Sequence, residues 1–189
     1  MGGSFNPAHA GHRQISVEAL RRLGLDEVWW LVSPQNPLKP AAGMAPLSAR
    51  IASARAAARH QPRIMVSAIE VELATRFAVD TVAALQHRHP RTRFVWLVGA
   101  DILPELHRWH RWRDLMRAVP VAVLARPRYA GAALRSPAMA WARRWRRRAD
   151  VAAGWSEWSL PAIVVLGTPA NPASATAIRA VDPNWAVRH

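Results

Sequence analysis

Two histidines three residues apart, His9 and His12, stand in the segment Gly2-Gly3-Ser4-Phe5-Asn6-Pro7-Ala8-His9-Ala10-Gly11-His12, between a glycine pair and a stretch of helical period. Paired glycines let a backbone take positive φ and approach a ligand closely, so the segment reads as a tight turn opening a helix. The helix opening behind them presents unpaired N–H groups and a positive dipole end, which suits an anion. Residues spaced by three share a helix face. Both imidazoles can therefore project from the first turn and neutralise phosphate charge, including that of a departing pyrophosphate. Two histidines at a helix start also serve as ordinary caps or surface residues, and for an isolated pair that reading is the better one. A His pair can begin a metal site as well, but no third ligand stands nearby, so no protein-held metal is expected. Gly2-Gly3, Asn6-Pro7 and Gly11 around the pair favour a phosphate site.

A second segment of the same character lies near the other end. Pro172-Ala173-Ser174-Ala175-Thr176-Ala177-Ile178-Arg179 reads as a loop, a hydroxyl N-cap and a helix start. Ser174 or Thr176 can cap free N–H groups or bond a phosphate, and Arg179, one turn beyond Thr176, can return its guanidinium to the same anion. Alone this is an N-cap with a solvated arginine; its place after a strand and its pairing with the first segment favour a phosphate site. Between the two, Ser33-Pro34-Gln35-Asn36-Pro37-Leu38-Lys39-Pro40 is a proline-stiffened loop at a strand end, where ligands collect in open α/β sheets, and Lys39 is the only lysine of the chain. Gly99 permits close approach, while Asp101 can accept from ribose hydroxyls or cap the next helix, two compatible roles. Trp109-His110-Arg111-Trp112-Arg113 can stack on a pyridine ring and hold its carboxylate, with Trp112 read as packing a helix on the sheet.

These segments carry a resemblance. The first resembles the H-x-G-H signature of the nucleotidylyltransferase superfamily, in the form G-G-S/T-F-D/N-P-x-H-x-G-H of bacterial nicotinate-nucleotide adenylyltransferases. The second resembles that family's S-S/T-T-x-I/L/V-R motif, with Ala175 in place of the middle hydroxyl. Residues 99–113 resemble the run G-A-D-x-L-x-x-x-H-x-W-x-x-W-R/K of alphaproteobacterial members. Residues 75–81 resemble S/T-x-Y-T/S-x-D-T, with Phe77 and Ala78 replacing a tyrosine and a hydroxyl residue. The resemblance runs from Gly2 to about Val181.

It implies a Rossmann-like fold and a reaction of ATP with nicotinate mononucleotide, giving deamido-NAD and pyrophosphate by direct attack on the α-phosphorus, without a protein nucleophile. His9, His12, Lys39 and Arg179 are then the phosphate-neutralising catalytic residues. Gly2, Gly3, Ser4, Phe5, Gly11, Gly99, Asp101, Ser174 and Thr176 bind ATP, which arrives with magnesium. Asn36, Thr75, Arg76, Phe77 and Trp109 hold the acceptor, with Trp109 stacked on its ring and main-chain amides near Thr75 on its carboxylate. An acceptor of another kind, nicotinamide mononucleotide or phosphopantetheine, is the alternative within the class. Trp109 and the Asn36-Pro37-Leu38-Lys39 loop favour nicotinate mononucleotide over phosphopantetheine.

The elements that must aim these residues alternate in period. Apolar β-branched runs at 27–33, 63–69, 93–98, 119–125 and 162–166 read as strands, and helical periods fall at 10–23, 47–60, 79–89, 103–117, 136–148 and 176–181. Such alternation predicts an α/β domain with a mostly parallel sheet flanked by helices. With no repeat and no low-complexity linker, residues 1–189 read as a single domain. Gly24 stands where a C-terminal glycine cap belongs. Only Met1 precedes Gly2, so the strand that normally feeds a glycine-rich turn is expected to be missing or truncated.

Bulk properties set outer bounds. The chain has 189 residues, half of them apolar (51%), and a formal charge of +14. That length buries a full core, and that charge suits polyanions such as nucleotides or nucleic acid. Because arginine supplies nearly all of the charge, in a chain also rich in Ala, Trp and Pro, part of it reads as GC-rich coding bias. Trp141-Ala142-Arg143-Arg144-Trp145-Arg146-Arg147-Arg148 reads as a solvated helix with both indoles on one face; a nucleic-acid patch is the sharper alternative, ranked well below the enzyme. No cysteine is present, which excludes disulfides and thiolate metal sites. No apolar run approaches the ~20 residues of a membrane span, and no secretory pattern opens the chain, so cytoplasm is the expected compartment.

Overall fold

The structure, a computed structural model, describes residues 1–35, 42–125, 131 and 134–188. Asn36 and Lys39, both expected at the site, lie outside the described residues. In chain order the regular elements are β1 (Gly2–Gly3), α1 (Ala10–Leu23), β2 (Val28–Val32), α2 (Leu47–Ala58), β3 (Ile64–Ser67), α3 (Ile69–Glu72), α4 (Ala78–Arg88), β4 (Trp96–Gly99), α5 (Leu103–Leu106), α6 (Trp112–Ala118), β5 (Val121–Ala125), α7 (Pro137–Ala142), β6 (Arg146–Arg147), β7 (Ile163–Gly167) and α8 (Ala175–Val181). No helix among the described residues is long and apolar enough to cross a membrane.

The residues group into two compact units. The first gathers Met1–Leu20, Leu25–Arg76 and Asn171–His189, around a parallel sheet of order β1-β2-β3. Its middle strand, Val28-Trp29-Trp30-Leu31-Val32, is apolar throughout and buried except at Trp29, as a parallel strand covered on both faces must be. α2 turns an unusual stripe inward: Ala49, Ser53, Ala54 and Ala58 with Arg50 among them. After α1, Gly24 takes a φ of 62° and the Leu25 amide donates to the Leu20 carbonyl at 3.1 Å, the expected glycine cap.

The first strand is short. β1 is two residues long, with Gly2 beside Leu31 and Gly3 beside Val32 in parallel register. The Leu31 amide donates to the Met1 carbonyl at 3.0 Å and the Ser33 amide to the Gly3 carbonyl at 2.9 Å. Gly2 and Gly3 are thus strand residues rather than the expected turn, and the positive φ falls two residues later, on Phe5 at 46°.

The second unit gathers Arg21–Gly24 and Phe77–Ala170, around a parallel sheet of order β4-β5-β7-β6. β5 is buried at every residue and lies between β4 and β7. α4 packs on α6; α4 buries Val79, Val82 and Leu85, and α6 buries Trp112, Leu115 and Met116. Two expected helices are shorter than their periodicity suggests. The 103–117 helix breaks into α5 and α6, because residues 107–111 offer only the half-buried Trp109 to a core, and the chain reverses at Arg111, whose φ is 47°. The 136–148 helix ends as α7 at Ala142 and passes through a 3₁₀ turn, Arg143–Trp145, into β6. Like charges three and four apart oppose a helix there. Arg146 and Arg147 instead add to the sheet edge beside Ile163 and Val164. Trp141 and Trp145 still meet, with ring centroids 4.6 Å apart, and Trp112, read from the sequence as packing its helix on the sheet, meets Trp141 of α7 edge-on at 5.1 Å.

Candidate active site

The chain leaves β1 at Ser4 and turns sharply through Phe5, whose ring is buried against Trp30 of β2 (centroids 5.2 Å) and His12 of α1 (4.9 Å). A non-glycine residue at positive φ is strained and persists only where its surroundings fix it. Here two faces of packing do so. Trp30, fully buried, also donates its indole N–H to the Ser16 hydroxyl at 2.8 Å, and that hydroxyl donates to the His12 carbonyl at 2.9 Å. β2 therefore holds the first turn of α1 from below.

The two histidines close that turn. The His9 carbonyl accepts from the His12 amide at 2.9 Å, His9 Nδ1 accepts from the Gly11 amide at 3.1 Å, and His12 Nδ1 accepts from the His9 amide at 3.2 Å. The rings lie 4.0 Å apart, centroid to centroid. Capping and phosphate recognition are thus not alternatives. With Nδ1 used as an acceptor, each neutral imidazole carries its proton on Nε2, the donor a phosphate needs. Gly11 is required by proximity: a Cβ there would sit 2.9 Å from the His9 ring and 3.4 Å from the Ala173 carbonyl oxygen.

That second neighbour belongs to the other predicted segment. The Asn171 side chain donates to Gln14 of α1 at 2.6 Å and accepts from the Ala173 amide at 2.9 Å. Ser174 caps α8 by accepting from the Ala177 amide at 3.1 Å, and the Thr176 hydroxyl accepts from Arg179 at 3.3 Å. Arg179 also donates to the Asn6 carbonyl. The two candidate phosphate segments, at opposite ends of the chain, therefore meet within the first unit at Asn6 and Arg179.

Sequence reasoning missed the support on the far side of the N-terminal loop. The Asn6 side chain donates to the Gly43 carbonyl at 2.9 Å and accepts from the Ala45 amide at 3.2 Å, and the Ala8 amide donates to the Ser53 hydroxyl at 2.9 Å. Arg50, only 1% exposed, donates to the carbonyls of Ser4 (2.8 Å), Ser33 (2.6 Å), Pro34 (2.8 Å) and Ala45 (2.9 Å). Burial pushes this guanidinium below its ordinary pKa. The signal was present in the sequence: Arg50 and Ser53 fall on the same stripe of α2 as Ala49 and Ala54.

The remaining predicted residues have these places. Thr75 and Arg76 end the first unit's central segment, with the Thr75 amide donating to the Glu70 carbonyl at 3.0 Å. Burial raises the Glu70 carboxyl above the usual carboxylate range, opposed by the Ser33 hydroxyl and the Met1 ammonium. Phe77, Gly99, Asp101 and Trp109 belong to the second unit. There Phe77 stacks on His110 (4.3 Å), Trp109 is half-buried, and Arg111 reaches Asp80 at 3.7 Å and Asp114 at 3.0 Å. Asp101 lies inside a 3₁₀ turn, Ala100–Ile102, and is exposed, so it caps no helix; a Cβ on Gly99 would come within 2.3 Å of its Oδ1. Among the described residues no cluster of three His, Asp or Glu side chains is arranged to hold a metal ion.

Comparison with known proteins bears on the family and the fold. The family model described as cytidylyltransferase-like matches residues 1–181. The chain is 54% identical over 189 residues to the protein of Erythrobacter litoralis named probable nicotinate-nucleotide adenylyltransferase, covering all of this chain and 86% of that one. It is 51% identical over 188 residues to the protein of the same name from Parvibaculum lavamentivorans, covering 92% of its length. Among solved structures, Plasmodium falciparum nicotinic acid mononucleotide adenylyltransferase complexed with NaAD superposes with a TM-score of 0.68 at 14% identity, over 95% of this chain and 80% of that chain. At that identity the likeness speaks for the fold, an α/β nucleotidylyltransferase architecture of parallel sheets and flanking helices.

Proposed function

The chain belongs to the cytidylyltransferase-like family, alongside the nicotinate-nucleotide adenylyltransferases, and we propose that it transfers the adenylyl group of ATP to nicotinate mononucleotide, yielding deamido-NAD and pyrophosphate. It is an ATP-using nucleotidyltransferase of NAD biosynthesis. The names its relatives carry favour neither nicotinamide mononucleotide nor phosphopantetheine as acceptor, nor a nucleic-acid-binding module. The proposal sets this activity in the cytoplasm.

The observation that carries the site assignment is the meeting of the two phosphate segments through Arg179 and Asn6. An oxygen of the acceptor's phosphate attacks the α-phosphorus of ATP in line; the bond from that phosphorus to the bridging oxygen breaks, and pyrophosphate leaves. The protein supplies alignment and charge neutralisation rather than covalent chemistry. His9 and His12, with Nδ1 tied to backbone amides, offer Nε2–H donors to the phosphates, and Arg179 brings a fixed positive charge to the same loop. Lys39, from the resemblance, adds a further cation. Gly2, Gly3, Ser4, Phe5, Gly11, Ser174 and Thr176 shape the phosphate seat. Gly99 and Asp101 take the adenosine; Asn36, Thr75, Arg76, Phe77 and Trp109 take the acceptor. Magnesium enters with ATP as part of the substrate, neutralising phosphate charge.

Direct transfer has a stereochemical signature. With ATP chirally labelled by sulfur at the α-phosphorus, a single in-line displacement inverts that centre, and deamido-NAD formed by this protein should show inversion. Retention would require two displacements through a covalent adenylyl-enzyme and would rule out the direct reaction.

A further inference from the structure

Arg50 has no part in the chemistry described above, yet it is the most completely buried arginine among the described residues. A buried charge is costly to place, and its hydrogen bonds reach four main-chain carbonyls and no carboxylate. An apolar residue would fill the same space on α2 at less cost, as Ala49 and Ala54 do beside it. What an apolar residue cannot do is join three separate chain segments in one planar fork. Ser4 ends β1, Ser33 and Pro34 follow β2, and Ala45 leads into α2.

We infer that Arg50 is a positioning residue for His12. The path is short and each step is a contact. Arg50 fixes the Ser4 carbonyl; Ser4 precedes Phe5, the strained residue; the Phe5 ring lies 4.9 Å from the His12 ring and 5.2 Å from Trp30. The carbonyls of Ser33 and Pro34 anchor the guanidinium to the end of β2, the strand that carries Trp30, so loop and strand are held in register from one point. Release of the Ser4 carbonyl frees Phe5 to leave its positive φ, and the face of the His12 imidazole loses its support. The inference rests on the proposed adenylyltransferase activity, with His12 as a phosphate donor.

The test is a double-mutant cycle with a spectroscopic control. Arg50→Lys keeps the charge but not the planar set of donors; Arg50→Gln keeps neither. At a temperature well below melting, Arg50→Lys should lower kcat about tenfold or more, as small misplacements of aligned groups do. In a His12→Ala background the same change should cost less than about threefold, because the group it positions is gone. Equal losses in the two backgrounds, or an unchanged kcat in folded Arg50→Lys, would overturn the inference. So would failure of both Arg50 variants to fold, which would assign the residue to stability alone. The His12 ring proton resonance, identified by its loss in His12→Ala, should move in Arg50→Lys, and an unmoved resonance counts against positioning without any appeal to activity. An inactive wild type would sink the proposed reaction and leave the resonance test standing.

Discussion

His9 and His12 each commit Nδ1 to a backbone amide of their own turn, which fixes ring orientation and proton location together. Imidazoles held this way donate to a developing charge without reorganising, the arrangement that makes electrostatic stabilisation effective. His12→Ala should therefore lower turnover by roughly 10²–10³, the typical loss for one preorganised donor. Near-normal turnover in a folded variant would remove His12 from the mechanism. The candidate site was legible at this scale because its residues lie in short motifs, His9 to His12 and Ser174 to Arg179, whose spacing within a turn is visible in a single sequence. Arg50 was not legible, since four carbonyl partners on three segments leave no local pattern. Its one trace is a charged residue on the small-residue stripe of a helix.

At the scale of elements, the strand-helix alternation was readable because buried parallel strands such as β2 and β5 are nearly pure apolar runs. The errors fell where a helical period was read through arginine-rich sequence. Period alone does not register that Arg143, Arg144, Arg146, Arg147 and Arg148 repel one another, nor that Arg111 takes a left-handed turn between α5 and α6. The glycine pair was misplaced for a related reason: glycine permits positive φ without demanding it, and the demand fell on Phe5. Because β2 supports α1 through Trp30, that strand has a functional load beyond the core. Trp30→Phe keeps a ring under Phe5 but removes the donor to Ser16 and leaves a void. It should cost about 1–3 kcal/mol, between a lost buried hydrogen bond and a small cavity. At roughly 2–4 °C per kcal/mol for a chain of this size, thermal melting will read this easily. A melting temperature equal to the wild type would show that Trp30 does not brace the turn.

Over the whole molecule, a charge of +14 invites a nucleic-acid reading, and the arrangement of the arginines tempers it. Arg113, Arg117 and Arg144 lie over the rings of Trp112, Trp141 and Trp145 at 4.8, 5.6 and 4.2 Å, and Arg148 pairs with Asp150 at 2.6 Å. Those indole faces are already occupied by guanidinium groups rather than open to bases. The positive charge for which we propose an anionic target is the small set around the N-terminal loop, where Arg179 meets Asn6. Whether this chain joins ATP to nicotinate mononucleotide can be read from its choice of acceptor. Pyrophosphate release is followed with ATP and magnesium and, in parallel, nicotinate mononucleotide, nicotinamide mononucleotide or phosphopantetheine as acceptor. The highest kcat/KM is expected with nicotinate mononucleotide, with deamido-NAD as the product. Release with none of the three, or a clear preference for phosphopantetheine, would contradict it.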